Sequence, residues 1–132
     1  MRRILVVEDN PANMRFVVTV LEHAGHMVLQ ARDASAGIHL ALKALPDLIF
    51  MDIQLPGMDG LEASRLLKAD ETTRHIPIYA LTAFAMKGDE DHIRAAGCDG
   101  YLAKPVSYKN LLALAETAGT PEKFSTHPQL RR

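Results

Sequence analysis

The chain has 132 residues, 48% of them hydrophobic and 23% charged, with a formal net charge of −1 at pH 7. That length suits one domain, and the near-neutral balance argues against a duplex nucleic-acid binder, which needs a basic surface to neutralise phosphates. Its single cysteine, Cys98, excludes an internal disulfide and a cysteine zinc cluster; no apolar run is long enough for a signal peptide or for membrane insertion, and a reducing cytoplasmic setting is expected.

Ile4–Val7 is an unbroken apolar run rich in β-branched residues, the pattern of a strand buried on both faces. It stops at Glu8-Asp9. Asn10-Pro11 then reads as N-cap and first helical residue. Met14, Val17, Val18 and Leu21 follow at helical spacing as a core face, and Gly25 closes the helix. Phe16 and Val20 form a second apolar row beside that stripe, which is either more core or a partner surface. Met27–Ala31 is a less uniform strand that suits a sheet edge. Asp33 caps a second helix with Ile38, Ala41, Leu42 and Leu45 on its buried side, and Pro46 ends it.

Leu48–Met51 is again a short apolar run, and it ends on a carboxylate, Asp52. Pro56 and Gly57 mark a turn, and Asp59 caps a helix carrying Leu61, Leu66 and Leu67. After the polar stretch Thr72–His75, Ile76–Leu81 reads as the fourth strand, with Pro77 tolerable at its start. It ends at Thr82-Ala83. Residues 84–88 are a loop, and Asp89 opens a helix that runs to Ala96, its acids Asp89, Glu90 and Asp91 solvated and favoured by the macrodipole. Gly97 stops it. Gly100–Ala103 is the fifth strand and ends at Lys104-Pro105. Ser107 caps a last helix with Leu111, Leu112 and Ala115 inward, stopped by Gly119, and residues 119–132 read as a flexible tail. The histidines sit at no ligand spacing and are expected at the surface, with Cys98 a buried thiol.

Strictly alternating strands and helices imply an α/β fold, a parallel sheet with helices on both faces. The length and the crossover rule fit a doubly wound, five-stranded, flavodoxin-like sheet of order 2-1-3-4-5. All strand C-termini then share one edge. That edge gathers Glu8 and Asp9 from strand one, Asp52 from strand three, Thr82 from strand four and Lys104 from strand five. Clustered carboxylates repel unless a cation is present, and hard oxygen ligands with open positions suit Mg²⁺. A free carboxylate between Mg²⁺ and a lysine is arranged to receive a phosphoryl group. Asp52 is the candidate nucleophile, with Lys104 neutralising charge and Thr82 bonding a phosphoryl oxygen.

The stretches Ile4–Asn10, Asp52–Gly60, Ala80–Ala83 and Tyr101–Pro105 together resemble the receiver domain of two-component response regulators over roughly residues 1–118. The stretch from Leu81 to Glu90 resembles stand-alone receivers of the alphaproteobacterial cell-division type, and also receivers of hybrid histidine kinases. The resemblance implies a phosphorelay switch with Asp52 as phosphoacceptor. It implies Mg²⁺ held by Glu8, Asp9, Asp52 and the Gln54 main-chain carbonyl, and a phosphoryl group bound by Thr82, the Ala83 amide and Lys104. Thr82 would move toward that group while Tyr101 turns from exposed to buried, and the Lys104–Pro105 bond would be cis. From the residues alone, Tyr101 is a half-buried strand aromatic with its hydroxyl in water.

The implied partners are a sensor histidine kinase or histidine phosphotransfer protein as phosphodonor, docking at Phe16 and Val20 of the first helix. A downstream protein would use the face of the fourth helix, fifth strand and fifth helix, including Tyr101. Gln54 and Phe84 would influence phosphoryl lifetime. Such a chain is a switch and not a dedicated enzyme, whether it is a small protein complete in itself or a relay domain cut from a hybrid kinase. Two other classes use related architecture. A haloacid dehalogenase-type phosphohydrolase needs a second acid two residues past its aspartate, where this chain has Gln54. A flavin-binding flavodoxin-like protein needs a phosphate cradle after strand one, where Glu8 and Asp9 would repel it.

Overall fold

Strands and helices alternate through residues 1–83 and 87–118, the residues described in the computed structural model. In chain order they are β1 (Arg3–Val7), α1 (Pro11–His23), β2 (Met27–Ala31), α2 (Ala34–Ala44), β3 (Leu48–Asp52), α3 (Gly60–Ala69), β4 (Ile78–Thr82), α4 (Lys87–Ala95), β5 (Gly100–Ala103) and α5 (Tyr108–Thr117). The five strands form one sheet of order β2-β1-β3-β4-β5, every neighbouring pair parallel. This is the expected doubly wound order. α1 packs with α5 and α2 with α3, and right-handed crossovers put these pairs on opposite faces.

The apolar runs explain the layering. Ile4–Val7, Leu48–Met51 and Ile78–Leu81 are all 0% exposed, so β1, β3 and β4 are covered on both faces, while the edge strand β2 is partly open. On α1 the buried stripe is Met14, Val17, Val18 and Leu21. Complete burial of one such aliphatic side chain stabilises by roughly 1.5–3 kcal/mol. Helix starts are fixed by side-chain caps: Asn10, Asp33, Asp59 and Ser107 each accept from the amide three residues on, a bond worth about 1 kcal/mol apiece.

Four expectations need correction. On α2 the inward residues are Ala34, Gly37 and Ala41, whereas Leu42 and Leu45 are 41% and 46% exposed. The helix lies so near the sheet that a Cβ at Gly37 would stand 2.8 Å from a Val7 methyl; only small residues fit there, and the leucines flank the contact. Leu45 is the left-handed C-cap. β4 begins at Ile78, because Pro77 has no N–H for the ladder, although its carbonyl accepts from Ile49. α4 begins at Lys87, so Asp89 is inside the first turn and not a cap. On α5 the buried residues are Leu111, Leu114 and Ala115, with Leu112 only partly covered. Gly119 and the tail lie outside the described residues.

His26 is also not a surface residue. It is buried, its Nδ1 accepts from the Arg2 amide at 3.1 Å, and its Nε2 stands 3.4 Å from Glu116 on α5. His23, His39, His75 and His92 are exposed as expected, and His127 lies outside the described residues. Cys98 is a buried free thiol, and burial pushes its pKa up, with the Ser64 hydroxyl opposing. At the sheet edge remote from the acids, Lys68 Nζ donates to the Arg74 and Ile76 carbonyls and to Asp99, which also accepts from the Ile78 amide. Among the described residues no helix is long and apolar enough to cross a membrane.

Candidate functional site

The register sets the site. β3 aligns Asp52 with Leu81 of β4, and β4 aligns Thr82 with Ala103 of β5. The residues that end β1, β3, β4 and β5 therefore meet at one rim. Glu8 is one step past β1, and its amide donates to the Ala31 carbonyl as if extending the ladder. Its side chain is 1% exposed and Asp52 is 2% exposed, whereas Asp9 faces solvent. Glu8, Asp9 and Asp52 each bring a carboxylate oxygen within 4.8 Å of the others.

Lys104 lies across this group. Its Nζ is 3.0 Å from Asp52 Oδ2 and 3.2 Å from Glu8 Oε1. Backbone amides hold the remaining oxygens: Gln54 N–H donates to Asp52 Oδ1 at 2.9 Å, and Asn10 N–H donates to Glu8 Oε2 at 3.0 Å. Among the described residues Glu8 Oε1 takes no hydrogen bond, and the Lys104 ammonium stands before it. Burial is the main force raising the Glu8 pKa; contact with the Asp52 carboxylate adds to it, and the Asn10 amide and Lys104 oppose it. For Lys104, burial works to lower the pKa, but the Asp52 and Glu8 carboxylates outweigh it and the net shift is upward.

Thr82 is fully buried at the end of β4, and the Lys104 amide donates to its carbonyl at 2.7 Å. Ala83 is exposed beside it. The Lys104–Pro105 bond is cis, as expected. A cleft of about 500 Å³ opens next to the rim, walled by Phe16 of α1, by Ala83, and by Lys104, Pro105 and Val106, with Glu8 at its base. Phe16 is 42% exposed there, whereas Val20 is half-buried and packs against the core. Phe84 lies outside the described residues.

Tyr101 is buried at 5% exposure, and its hydroxyl donates to Glu90 Oε2 on α4 at 2.7 Å. The reading of a half-buried ring with a solvated hydroxyl is overturned, and so is the reading of Glu90 as a purely solvated acid. Two further features went unread in the sequence. Gly60, first residue of α3, is packed so tightly that a Cβ would lie 2.2 Å from the Asp52 carbonyl oxygen. Asn10 serves Glu8 through its amide as well as capping α1. Gly60 had a signal, a glycine just after a capping aspartate; the Glu90 contact had none, since it depends on how α4 is rotated.

Chemically, the rim offers a buried carboxylate oxygen beside an ammonium, with further carboxylates able to take a divalent cation and a hydroxyl one strand away. The family profile described as "Response regulator receiver domain" matches residues 4–116. The polar-differentiation response regulator DivK of Brucella ovis is 47% identical over 106 residues, covering 80% of this chain and 86% of that protein. The receiver domain of sensor histidine kinase PA1611 from Pseudomonas aeruginosa PAO1, solved with a magnesium ion coordinated in its active-site cleft, is 37% identical with a TM-score of 0.81, covering 87% of this chain and 94% of that one. The chemotaxis response regulator CheY4 of Vibrio cholerae superposes with a TM-score of 0.83 at 28% identity, covering 88% and 97%.

Proposed function

The chain belongs to the receiver domain family of two-component response regulators, and from that membership we propose that Asp52 is its phosphoacceptor and that the rim around Asp52 performs the transfer. The observation that carries this reading is the buried Asp52 carboxylate 3.0 Å from the Lys104 ammonium, with Glu8 and Asp9 beside it. In the proposed step an Asp52 oxygen attacks the phosphorus of a phosphohistidine on a partner. The new P–O bond forms as the P–N bond breaks, and the electron pair leaves with the imidazole nitrogen. Lys104 then neutralises a phosphoryl oxygen, and Thr82 and the Ala83 amide are the proposed donors to the others.

A divalent cation fits this rim. The donors are hard oxygens, and Glu8 Oε1 is a buried acceptor without a hydrogen bond. Glu8, Asp9, Asp52 and the Gln54 carbonyl are the residues proposed to hold Mg²⁺. When bound it supplies positive charge that offsets carboxylate repulsion and favours approach of a phosphate. The magnesium in the PA1611 receiver supports this choice.

Phosphorylation adds charge and acceptors at one point, drawing Thr82 and Lys104 toward it and biasing the population of the Tyr101 surface. The donor is read as a sensor histidine kinase or histidine phosphotransfer protein seated near the Phe16 cleft, with the half-buried Val20 one helical turn further along α1. The output is read as a protein that binds the face of α4, β5 and α5. Residues 1–118 are taken as the receiver unit and 119–132 as a tail, in a cytoplasmic setting where a thiol such as Cys98 stays reduced. The only chemistry assigned is gain and loss of the chain's own phosphoryl group. The phosphohydrolase and flavin readings have nothing comparable in their favour.

Incubation with acetyl phosphate and Mg²⁺ followed by intact mass tests this. One base-labile, phosphate-sized adduct is expected, abolished by chelation and by Asp52→Asn. An adduct of unchanged yield in Asp52→Asn would refute the assignment.

A further inference from the structure

His26 is a buried titratable side chain that the acid rim does not use. Only 3% of the side chain is exposed, and it stands at the opposite end of the sheet, in the turn that leads from α1 into β2. Distant parts of the chain meet on it. Its own amide donates to the Leu21 carbonyl near the end of α1. The Arg2 amide, just before β1, donates to its Nδ1 at 3.1 Å. Glu116, in the last turn of α5, places Oε2 3.4 Å from its Nε2. Arg2 is also held through its carbonyl, which accepts from the Met27 amide at 2.9 Å.

The Arg2 contact fixes the state of the ring. A ring nitrogen that accepts a hydrogen bond carries no proton, so in the neutral imidazole the proton sits on Nε2, on the side of Glu116. Nε2 makes no hydrogen bond among the described residues; its approach to Glu116 is a looser one, to a carboxylate side chain that is 65% exposed. Protonation changes both contacts at once and in opposite senses. Nδ1 takes a proton from water, the ring gains one positive charge, and both nitrogens become donors. The Arg2 amide then faces another donor and its bond to the ring must break, while attraction to Glu116 grows. The Arg2 carbonyl keeps its bond to Met27, so the segment before β1 loosens without detaching. Other charged or titratable groups on the elements around the ring are Arg2 and Arg3 at β1, Glu22 and His23 at the end of α1, and Asp47 before β3, whose carboxylate accepts from the Arg3 amide. Among the described residues Glu116 is the acid paired with His26.

We infer that His26 is a protonation-sensitive clasp at the base of the sheet. Neutral, it ties the N-terminal segment, the α1–β2 turn and the end of α5 together. Protonated, it gives up the Arg2 amide for a firmer hold on Glu116. Imidazole is the side chain suited to such an exchange near neutral pH. The clasp is separate from the acid rim and stands whether or not Asp52 is the phosphoacceptor. It acts on α5, one wall of the face read above as the output surface, and that link alone rests on the output reading.

The test is nuclear magnetic resonance on the full chain with isotopically labelled nitrogen. At the alkaline end of a pH series the His26 ring should be the Nε2–H tautomer, with a nitrogen–nitrogen coupling across the Arg2 N–H···Nδ1 bond. As His26 titrates, followed by its own ring nitrogens, that coupling should vanish. Protection of the Arg2 amide against hydrogen exchange should then fall about fivefold, the worth of one hydrogen bond, and protection of the last turn of α5 should rise. His26→Asn keeps an acceptor near the Nδ1 position but cannot titrate, so its Arg2 protection should stay constant over the same series. Glu116→Gln should keep the coupling of the neutral ring and lose the rise at α5. A neutral ring with its proton on Nδ1, an Arg2 amide whose protection ignores the His26 titration or falls equally in His26→Asn, or a ring that stays neutral until the fold is lost would each overturn the clasp. An α5 that is unchanged between the two states overturns its part in the device.

Discussion

A methyl group added at Gly60 would lie 2.2 Å from the Asp52 carbonyl oxygen, 2.7 Å from the Ile53 Cα and 2.9 Å from the Asp52 carbonyl carbon. Ordinary carbon–oxygen approaches stop at about 3.3 Å, so roughly 1 Å has to be found. All of these atoms are backbone, and the Gly60 amide itself donates to the Ile53 carbonyl at 3.2 Å, so no side chain can swing away to make room. Overpacking of this kind typically costs about 1–3 kcal/mol. Helix propensity acts in the opposite direction, favouring alanine over glycine by at most about 1 kcal/mol. Sterics should win: Gly60→Ala is expected to be destabilised by about 2 kcal/mol, or roughly 6–10 °C in Tm for a domain of this size. Because the displaced carbonyl belongs to Asp52, labelling by acetyl phosphate should slow as well. Urea unfolding and mass-resolved labelling measure the two effects, with Gly88→Ala as control, since a Cβ there meets nothing within 4 Å. A Gly60→Ala protein within about 0.5 kcal/mol of the parent, labelled at the same rate, would refute the claim that close packing of α3 fixes Asp52.

Further outcomes follow from the charges. Lys104→Met leaves Asp52 and Glu8 facing each other without their shared cation; loss of such a buried partner costs about 3–5 kcal/mol, and with 18% of the Lys104 side chain exposed about 2–4 kcal/mol is expected in chelator, partly restored by Mg²⁺ in urea titrations. The Glu8 pKa is raised, chiefly by burial, so the folded state binds a proton that the unfolded state has released. Stability of the metal-free protein is therefore fully present below the ordinary carboxylate range and lost as pH rises through the raised value; thermal melts in chelator should show this fall, and Glu8→Gln should flatten it. Burial, and after it the Asp99 charge, raises the Tyr79 hydroxyl far above its usual range. Stability should then decline above about pH 10 by up to roughly 1.4 kcal/mol per pH unit as the unfolded phenol ionises first, and Tyr79→Phe should remove that slope.

Much of this fold was legible because the sheet is parallel and doubly covered. β1, β3 and β4 appear as uninterrupted apolar runs, and each is closed by the polar residue that turns out to lie on the rim. The caps at Asn10, Asp33, Asp59 and Ser107 were legible for a similar reason, since the bond each makes is local in sequence. The errors arise where tertiary contact decides. Reading leucines as the inward face of α2 ignores that close approach to Val7 selects Ala34, Gly37 and Ala41. His26 gives no sign of burial, because its partner amide is that of Arg2, 24 residues away. The rim itself was legible as a set of residue types, but not that Lys104 would touch Glu8 as well as Asp52. Nor was the partner of Glu90, which lies on the following strand.

The Lys68 ammonium gives the molecule a mechanical asymmetry. On the underside of the sheet it clasps the 74–76 segment and Asp99, and Asp99 in turn grips the first amide of β4. The roots of the last two strands are thereby riveted together, while their opposite tips carry the reactive groups. Splaying of the roots would have to break these bonds first. The reactive tips thus stand on a braced base, held by ion pair and main-chain bonds at the end of the sheet away from the acids.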